Sequence, residues 1–181
     1  MSVWRQLRAV LLLPFTVTVV LPALILWGGG GVDVDLDLVS ALLGSALIAL
    51  GLALVVWTVW LFVTVGQGTL APWDATRRLV VRGPYRHVRN PMITGVASIL
   101  AGEALAFRSW SIVILLAAFA AVNAVYMPLA EEPGLRRRFG DDYDAYRAHV
   151  PRWIPRFGPW DGPNGDGGSQ ELPRRRPRGA E

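Results

Sequence analysis

The chain of 181 residues is 52% hydrophobic and 18% charged, with a formal net charge of +4 at pH 7. It contains no cysteine, which excludes disulfides, thiolate metal sites and a cysteine nucleophile, and its 18 basic residues are all arginines, which excludes lysine Schiff-base chemistry. The positive charge does not form a separate basic domain, so it indicates membrane topology and no nucleic-acid partner. The two histidines, His87 and His149, are too far apart in the sequence to predict a metal site.

Two long uncharged runs at the start of the chain predict membrane-spanning helices, since about 20 apolar residues cross a hydrocarbon core of about 30 Å. The first run is Ala9–Trp27, and the absence of a clear small-residue cleavage site after it disfavours a cleaved signal peptide. An acidic, glycine-rich turn separates it from the second run, Val39–Val65. Small residues at four-residue spacing in the second run predict a face for close helix packing. They are Ser45, Ala49 and Ala53.

A polar segment, Gly66–Asn90, precedes two shorter apolar runs, Pro91–Phe107 and Trp110–Ala130. Only two residues join these runs, so they predict an antiparallel helical hairpin. Arginines cluster on one side of the four predicted helices, whereas the opposite loops carry aspartates and a single arginine. By the positive-inside rule, both termini are predicted to lie in the cytoplasm.

The segment Glu131–Pro155 follows the fourth predicted helix. Its large apolar residues recur at helical spacing, which predicts a cytoplasmic amphipathic segment lying along the lipid headgroups. They are Leu135, Phe139, Tyr143 and Tyr146. Beyond Phe157 the chain is rich in Gly, Pro and Arg, which is typical of disorder.

The predicted fold class is therefore an all-α polytopic membrane protein with four transmembrane helices, an amphipathic segment and a disordered C-terminal tail. Residues 1–66 hold the two N-terminal helices with their acidic loop. Residues 67–156 form a core of polar segment, helical hairpin and amphipathic segment, and residues 157–181 form the tail.

Asn90 and Pro91 have two interpretations, which the sequence leaves open. Asn is a favoured N-cap and Pro a favoured first helical residue, so the pair fits an ordinary capped helix start preceded by topology arginines. Alternatively, the free N–H groups and positive dipole of a helix N-terminus attract an anionic ligand, and Arg86 and Arg89 would strengthen that attraction.

Glu131 and Glu132 lie at the end of the fourth predicted helix, where carboxylates oppose the helix dipole unless a cation compensates them. Either Arg136, four residues after Glu132, or a bound cation would supply the positive charge. Because the last two helices form a hairpin, the glutamates are predicted to lie close to Asn90 and Pro91. The combination suits a zwitterionic or sulfonium ligand.

Four motifs follow one another in the second half of the chain: RNPMITG at 89–95, EE at 131–132, FGDDYDAY at 139–146 and VPR at 150–152. Their order around the apolar hairpin closely resembles the isoprenylcysteine carboxyl methyltransferase family, which also includes bacterial phospholipid N-methyltransferase-like proteins. The resemblance covers roughly Gly66 to Pro155. The first motif of the family is RHPxYxG, so Asn90 stands where the family has histidine and Ile93 where it has tyrosine.

The resemblance implies S-adenosylmethionine as the methyl donor, bound at the cytoplasmic face of a bacterial inner membrane beside a lipid-accessible channel. The implied acceptor is a lipid-linked or small hydrophobic molecule among the membrane lipids, and its identity and the oligomeric state stay open. The candidate catalytic residues are Arg89, Glu131 and Glu132. The candidate cofactor-binding residues are Leu79, Val80, Gly83, Tyr85, Asn90, Pro91, Ile93 and Glu132.

Methyl transfer from a sulfonium is an in-line displacement that needs alignment and exclusion of water rather than a nucleophilic side chain. We expect arginines to orient the donor's carboxylate and glutamates to stabilise its cationic part. For an amine acceptor, Glu131, Glu132 or Tyr85 would take up the proton. Two alternatives stay open: a non-catalytic membrane protein with the same fold, favoured by the substitutions at Asn90 and Ile93, and an NADPH-dependent sterol-reductase-like enzyme with phosphates on the arginines.

Overall fold

The computed structural model describes residues 14–29, 37–66 and 79–162, and every regular element in these ranges is helical, which confirms the all-α prediction for them. The predictions for the start of the first apolar run, most of the acidic turn, the first part of the polar segment and the tail from 163 onward concern residues outside these ranges. The helices are α1 (Thr16–Gly28), α2 (Leu38–Val65), α3 (Pro91–Ala106), α4 (Trp110–Tyr126), α5 (Glu132–Phe139) and α6 (Asp141–His149).

Two helices are long and apolar enough to cross a membrane. They are α2 and the continuous helix Trp110–Phe139, which includes α4 and α5, whereas α1 and α3 are apolar but shorter. Many large side chains of α2 and α4 point outward, including Leu50, which is 67% exposed, and Val122. Apolar surface of this extent is expected where helices contact lipid.

The antiparallel helices α2 and α3 make the most extensive contact among the described helices. Glycines form it, because a Cβ atom on Gly44 would lie 2.6 Å from the carbonyl oxygen of Gly102, and one on Gly51 would lie 2.5 Å from that of Gly95. The two backbones therefore touch, as they do in membrane helix pairs built on small residues. The predicted packing face of Ser45, Ala49 and Ala53 is wrong, since all three side chains are exposed.

The predicted hairpin between α3 and α4 is present. Arg108 adopts the left-handed conformation at φ 48°, which reverses the chain. The Ser109 hydroxyl then accepts a hydrogen bond from the Ile112 backbone N–H and caps α4. Ile112 and Leu100 are fully buried in the core that α2, α3 and α4 share. The ends of the hairpin remote from Arg108 consequently lie side by side.

A single π-helical turn, Met127–Glu131, joins α4 to α5. Pro128 lies in this turn, and because proline lacks the N–H of a regular helical bond, the wider turn accommodates it. Gly140, at φ 55°, then separates α5 from α6. The predicted amphipathic segment is thus two short helices.

The apolar face of these two helices does not cover lipid headgroups, which corrects that expectation. Tyr143, Tyr146 and Val150 form a buried cluster, against which Leu135 and Phe139 pack. The cluster is completed by residues from elsewhere in the chain, namely Leu79, Val81 and Trp160. The helical spacing was therefore the signal of an internal core.

Residues 150–162, here called the strap, run along residues 86–89 in the opposite direction. The backbone N–H of Arg89 donates to Pro151 at 2.9 Å, that of Arg156 to His87 at 3.0 Å, and that of Trp160 to Arg86 at 3.0 Å. The sequence assigned 157–162 to a disordered tail, and this is wrong because the Trp160 ring stacks on His149 and packs against Tyr146.

Candidate functional site

The polar end of the helices, where α2 ends, α3 begins and the strap lies, holds all the candidate site residues. Residues 79–90, here called the hub, enter it, and Gly83–Arg86 form a short 3-10 helix within the hub. Val80 packs with Leu61 and Tyr85, whereas Leu79 packs on the opposite cluster around Tyr143. Leu79 and Val80 therefore join the hub to α2 and α6.

Gly83 and Tyr85 dock the hub onto the end of α2. Gly83 has φ 54°, and a Cβ atom there would lie 2.9 Å from the Trp57 ring. The Tyr85 ring meets the Phe62 ring edge to face at 5.6 Å. The Tyr85 carbonyl also accepts a 2.7 Å hydrogen bond from the Tyr146 hydroxyl, so the same residue ties α6 to α2.

Asn90, Pro91 and Ile93 form the entrance to α3. Asn90 occupies the N-cap position as predicted, but its side chain makes no capping hydrogen bond. Pro91 is the first residue of the helix and is fully buried, whereas Ile93 is only partly buried. The local capping explanation for the Asn90 side chain is therefore not realised.

Glu132 is the centre of an ionic cluster. Its Oε1 accepts hydrogen bonds from Arg89 Nη1 and from Arg152 Nε, both at 2.8 Å. Arg147 Nε lies 3.8 Å from the second oxygen, Oε2. Glu132 and Arg89 are nearly buried, with side chains 7% and 10% exposed. The hairpin thus brings together Arg89 and Glu132, as the sequence predicts, in direct contact.

The cluster has more positive than negative charge. Three guanidinium groups surround the single carboxylate of Glu132, and a buried charge is stable only when it is paired and hydrogen-bonded. The Arg89 Nε atom is buried and, among the described residues, has no hydrogen-bond acceptor. One charged donor at the centre of the site is therefore left without an acceptor among the described residues.

Glu131 differs from its neighbour. It lies in the π-helical turn and forms no ion pair with the described residues, whereas Glu132 forms three. Its charge acts on both Tyr85 and Tyr143. Glu131 therefore adds a second carboxylate, which Arg138 attracts without forming an ion pair.

The tyrosines of the polar end stay protonated at neutral pH. Burial raises the pKa of Tyr85 well above its usual value, and the neighbouring Tyr146 and Glu131 raise it further. Burial and the Glu132 carboxylate likewise raise the pKa of Tyr143, whose hydroxyl lies 3.5 Å from Arg89 Nη1. Tyr85 is therefore unsuited to be the proton acceptor that the sequence suggested.

Two arginines of the cluster are absent from the sequence-based candidates. Arg152 belongs to the VPR motif and Arg147 to α6. The distance of each from Glu132 along the sequence does not predict that they meet. Of the two alternatives that the sequence left open for Glu132, the pairing with Arg136 is wrong, because Arg136 pairs with Asp144 at 3.0 Å. The only sequence signal for Arg152 was its place in the VPR motif, which the resemblance to the methyltransferase family had singled out.

The sequence model of the phospholipid methyltransferase family matches residues 39–142. No curated protein and no solved structure matches the chain. The matched range begins at α2, includes the hub and both glutamates, and ends at the start of α6. Arg147, Arg152 and the strap lie beyond it.

Proposed function

We propose, because the chain belongs to the phospholipid methyltransferase family, that it transfers a methyl group from S-adenosylmethionine to a lipid-associated or small hydrophobic acceptor. Family membership implies methyltransferase activity in general, and the donor and the acceptor class are our proposal. The observation that carries it is the buried Arg89 Nε, a charged donor without an acceptor among the described residues, inside a cluster with surplus positive charge.

The residues of the polar end fit the charges of S-adenosylmethionine. Its carboxylate would accept a hydrogen bond from Arg89, since a charged donor left unsatisfied in a buried site is costly. Its amine and sulfonium carry positive charge, and Glu131 is a carboxylate at the polar end that forms no ion pair with a described residue. We therefore assign binding of S-adenosylmethionine to Arg89 and Glu131. The residues around them are Tyr85, Asn90, Pro91 and Ile93.

Glu132 has a different role from the one expected from the sequence. Because it already accepts from Arg89 and Arg152, it holds these guanidinium groups in place and is a positioning residue. The role of Leu79, Val80 and Gly83 is structural support, since their contacts fix the hub between α2 and α6.

S-adenosylmethionine, when bound, supplies a methyl group that is already activated on a sulfonium. The protein has to align the acceptor with it and exclude water, and this requires no nucleophilic side chain. An amine acceptor has to lose a proton, and Glu131 is the group best placed to accept it, because Glu132 is ion-paired and the pKa of Tyr85 is raised by burial.

The proposed topology has four spanning helices, with the polar end and both termini in the cytoplasm of a bacterial inner membrane. The hub, α5, α6 and the strap carry most of the described arginines, and the opposite end carries Arg108. Trp27 and Trp110 are exposed at that opposite end, and Trp57 and Trp60 are exposed near the polar end, as in the aromatic belts of membrane proteins.

The direct test is calorimetry of the purified protein in lipid nanodiscs with S-adenosylmethionine and, separately, with NADPH. We expect S-adenosylmethionine to bind and Arg89→Lys to weaken binding about 10-fold to 100-fold, because lysine keeps the charge but loses the guanidinium donors. Arg137→Lys, the same change at an exposed arginine, should leave the affinity unchanged.

A methyl-transfer assay identifies the acceptor. Protein incubated with labelled S-adenosylmethionine and membrane extract should produce a labelled lipid or small hydrophobic product, which chromatography and mass spectrometry would identify. Binding of NADPH in place of S-adenosylmethionine would contradict the proposal in favour of a reductase. Binding of neither compound would favour a non-catalytic protein.

A further inference from the structure

The strap contains a short loop, residues 152–157, with two different sides. Arg152 points inward and donates to Glu132, whereas Ile154 is 80% exposed and Phe157 is fully exposed. Backbone hydrogen bonds to the hub hold the strap before the loop at Pro151, within it at Arg156 and after it at Trp160. The loop therefore presents its apolar side chains in a defined direction.

Two exposed apolar side chains of this size on one short loop are well suited to bind an apolar partner. Burial of a Phe or Ile side chain is favourable by about 1.5–3 kcal/mol relative to water, so two of them on one loop form an effective anchor. The exposed Arg156 adds a positive charge to the loop, whereas Arg147 and Arg86 are paired with Glu132 and Asp161. An apolar anchor with a positive charge fits the headgroup region of an anionic bilayer.

The position of the loop supports the same partner. The strap is hydrogen-bonded to hub residues His87 and Arg89, and the hub contacts the Trp57 ring through Gly83. Trp57 is half-exposed near the end of α2, and tryptophans at the ends of spanning helices lie at the level of the headgroups. The loop consequently lies on the side of the molecule where α2 ends.

We propose that the 152–157 loop inserts Ile154 and Phe157 into the headgroup region of the anionic bilayer that holds α2 and α4, and that this contact keeps Arg152 on Glu132. The inference rests on the proposed membrane orientation but not on the proposed methyl transfer. It assigns the strap a membrane-anchoring function that holds one side of the ionic cluster.

The absence of cysteine makes the test direct, because single cysteines can be labelled in the whole chain. A polarity-sensitive fluorophore is attached to one of three single-cysteine variants: Phe157→Cys, Leu50→Cys or Arg137→Cys. The labelled proteins are placed in nanodiscs that contain phosphatidylglycerol, and brominated lipids serve as quenchers. Leu50 is exposed on α2 and marks the bilayer, and Arg137 is exposed on α5 and marks water. We expect the Phe157 label to be quenched by lipids brominated near the headgroup, and the Arg137 label not to be quenched.

If the Leu50 label is quenched and the Phe157 label, like the Arg137 label, is not, the inference is overturned. The prediction of spanning helices then still stands. An unquenched Leu50 label would overturn both. Charge is tested by Arg156→Glu, for which we expect the equilibrium constant for insertion to fall about fivefold or more. An equal degree of Phe157 quenching in neutral phosphatidylcholine nanodiscs would contradict the anionic component.

A double variant, Ile154→Ser with Phe157→Ser, separates anchoring from folding. Both side chains are exposed, so thermal unfolding in detergent should stay unchanged. In nanodiscs, a spin label on Trp153→Cys, which leaves the neighbouring Arg152–Glu132 contact intact, should become more mobile when the anchor is removed. Unchanged mobility would overturn the link between the anchor and the cluster.

Discussion

The α2–α3 contact and the ionic cluster at the polar end are held together in opposite ways. Between the helices, glycine backbones touch, and a Cβ atom on Gly44 would lie 2.6 Å from a carbonyl oxygen. At the polar end, long side chains reach one another across the chain, as Arg152 and Glu132 do at 2.8 Å. The first region has no room for an added atom, and the second depends on every charged group that it contains.

The difference follows from the surroundings. Lipid gives helices no hydrophobic reason to associate, so close packing of small residues has to hold them. At the polar end the backbone is irregular and the charges of the cluster are partly desolvated, so the Glu132 carboxylate and its arginines stabilise one another. Deletions should therefore damage the polar end, and additions should damage the helix contact.

The largest effect is expected for deletion of the central carboxylate. Glu132→Ala leaves Arg89 and Arg152 without their shared partner, and the free energy of unfolding should fall by about 3–5 kcal/mol. The measurement is denaturation in mixed detergent–SDS micelles, followed by circular dichroism. Glu131→Ala is the matched control and should have a clearly smaller effect, because Glu131 forms no ion pair with the described residues. Equal effects would contradict the central place of Glu132.

The next effect concerns an addition between the helices. Gly44→Ala places a methyl group against the Gly102 carbonyl, and the free energy of unfolding should fall by about 1–3 kcal/mol. The better helix propensity of alanine, about 0.5–1 kcal/mol, offsets only part of this loss. Ala49→Leu adds more atoms on an exposed face of the same helix and should leave the SDS denaturation midpoint unchanged. A stabilised Gly44→Ala protein would show that the helices do not pack this closely.

A smaller effect is expected for the hydrogen bond between Tyr146 and the Tyr85 carbonyl. Tyr146→Phe removes the hydroxyl and should lower the free energy of unfolding by about 0.5–1.5 kcal/mol. Thermal unfolding in detergent at neutral pH measures it.

The same tyrosine gives a pH dependence with a definite sign. Burial raises the folded-state pKa of Tyr146 above the unfolded value of about 10, so its contribution is complete below pH 10 and is lost as pH rises further. The wild-type protein should lose stability as pH rises above about 10, and Tyr146→Phe should lose less. A steeper loss in the variant would contradict burial of the hydroxyl.

The smallest effect is expected at the exposed pair of Arg136 and Asp144. Arg136→Ala should change the free energy of unfolding by at most about 1 kcal/mol, because exposed ion pairs are screened by water. The effect should disappear in 1 M salt, whereas the effect of Glu132→Ala should largely persist. Loss of more than 2 kcal/mol for Arg136→Ala would show that the pair is part of the central cluster.

The sequence by itself determined the helices and the hairpin. Uncharged runs of this length have few alternatives to helices, and the short link at Arg108 forces two of them to lie side by side. The approach of Arg89 to Glu132 follows from that link. The order of the motifs was also sufficient to identify the family that the match over 39–142 establishes.

The packing face of α2 was decided only by the tertiary structure. The helix is apolar all round, so its sequence contains no amphipathic signal that distinguishes Gly44 and Gly51 from the exposed Ser45, Ala49 and Ala53. Shape complementarity with α3 selects the glycines, and it depends on the partner helix.

The composition of the ionic cluster was likewise a tertiary outcome. Arg147 and Arg152 reach Glu132 because Gly140 turns the chain and the strap pairs with the hub. Sequence separation does not report such contacts, and local spacing favoured Arg136 instead. Local patterns fix which segments are helical and which are charged, whereas the partner of each charge depends on where the folded chain places it.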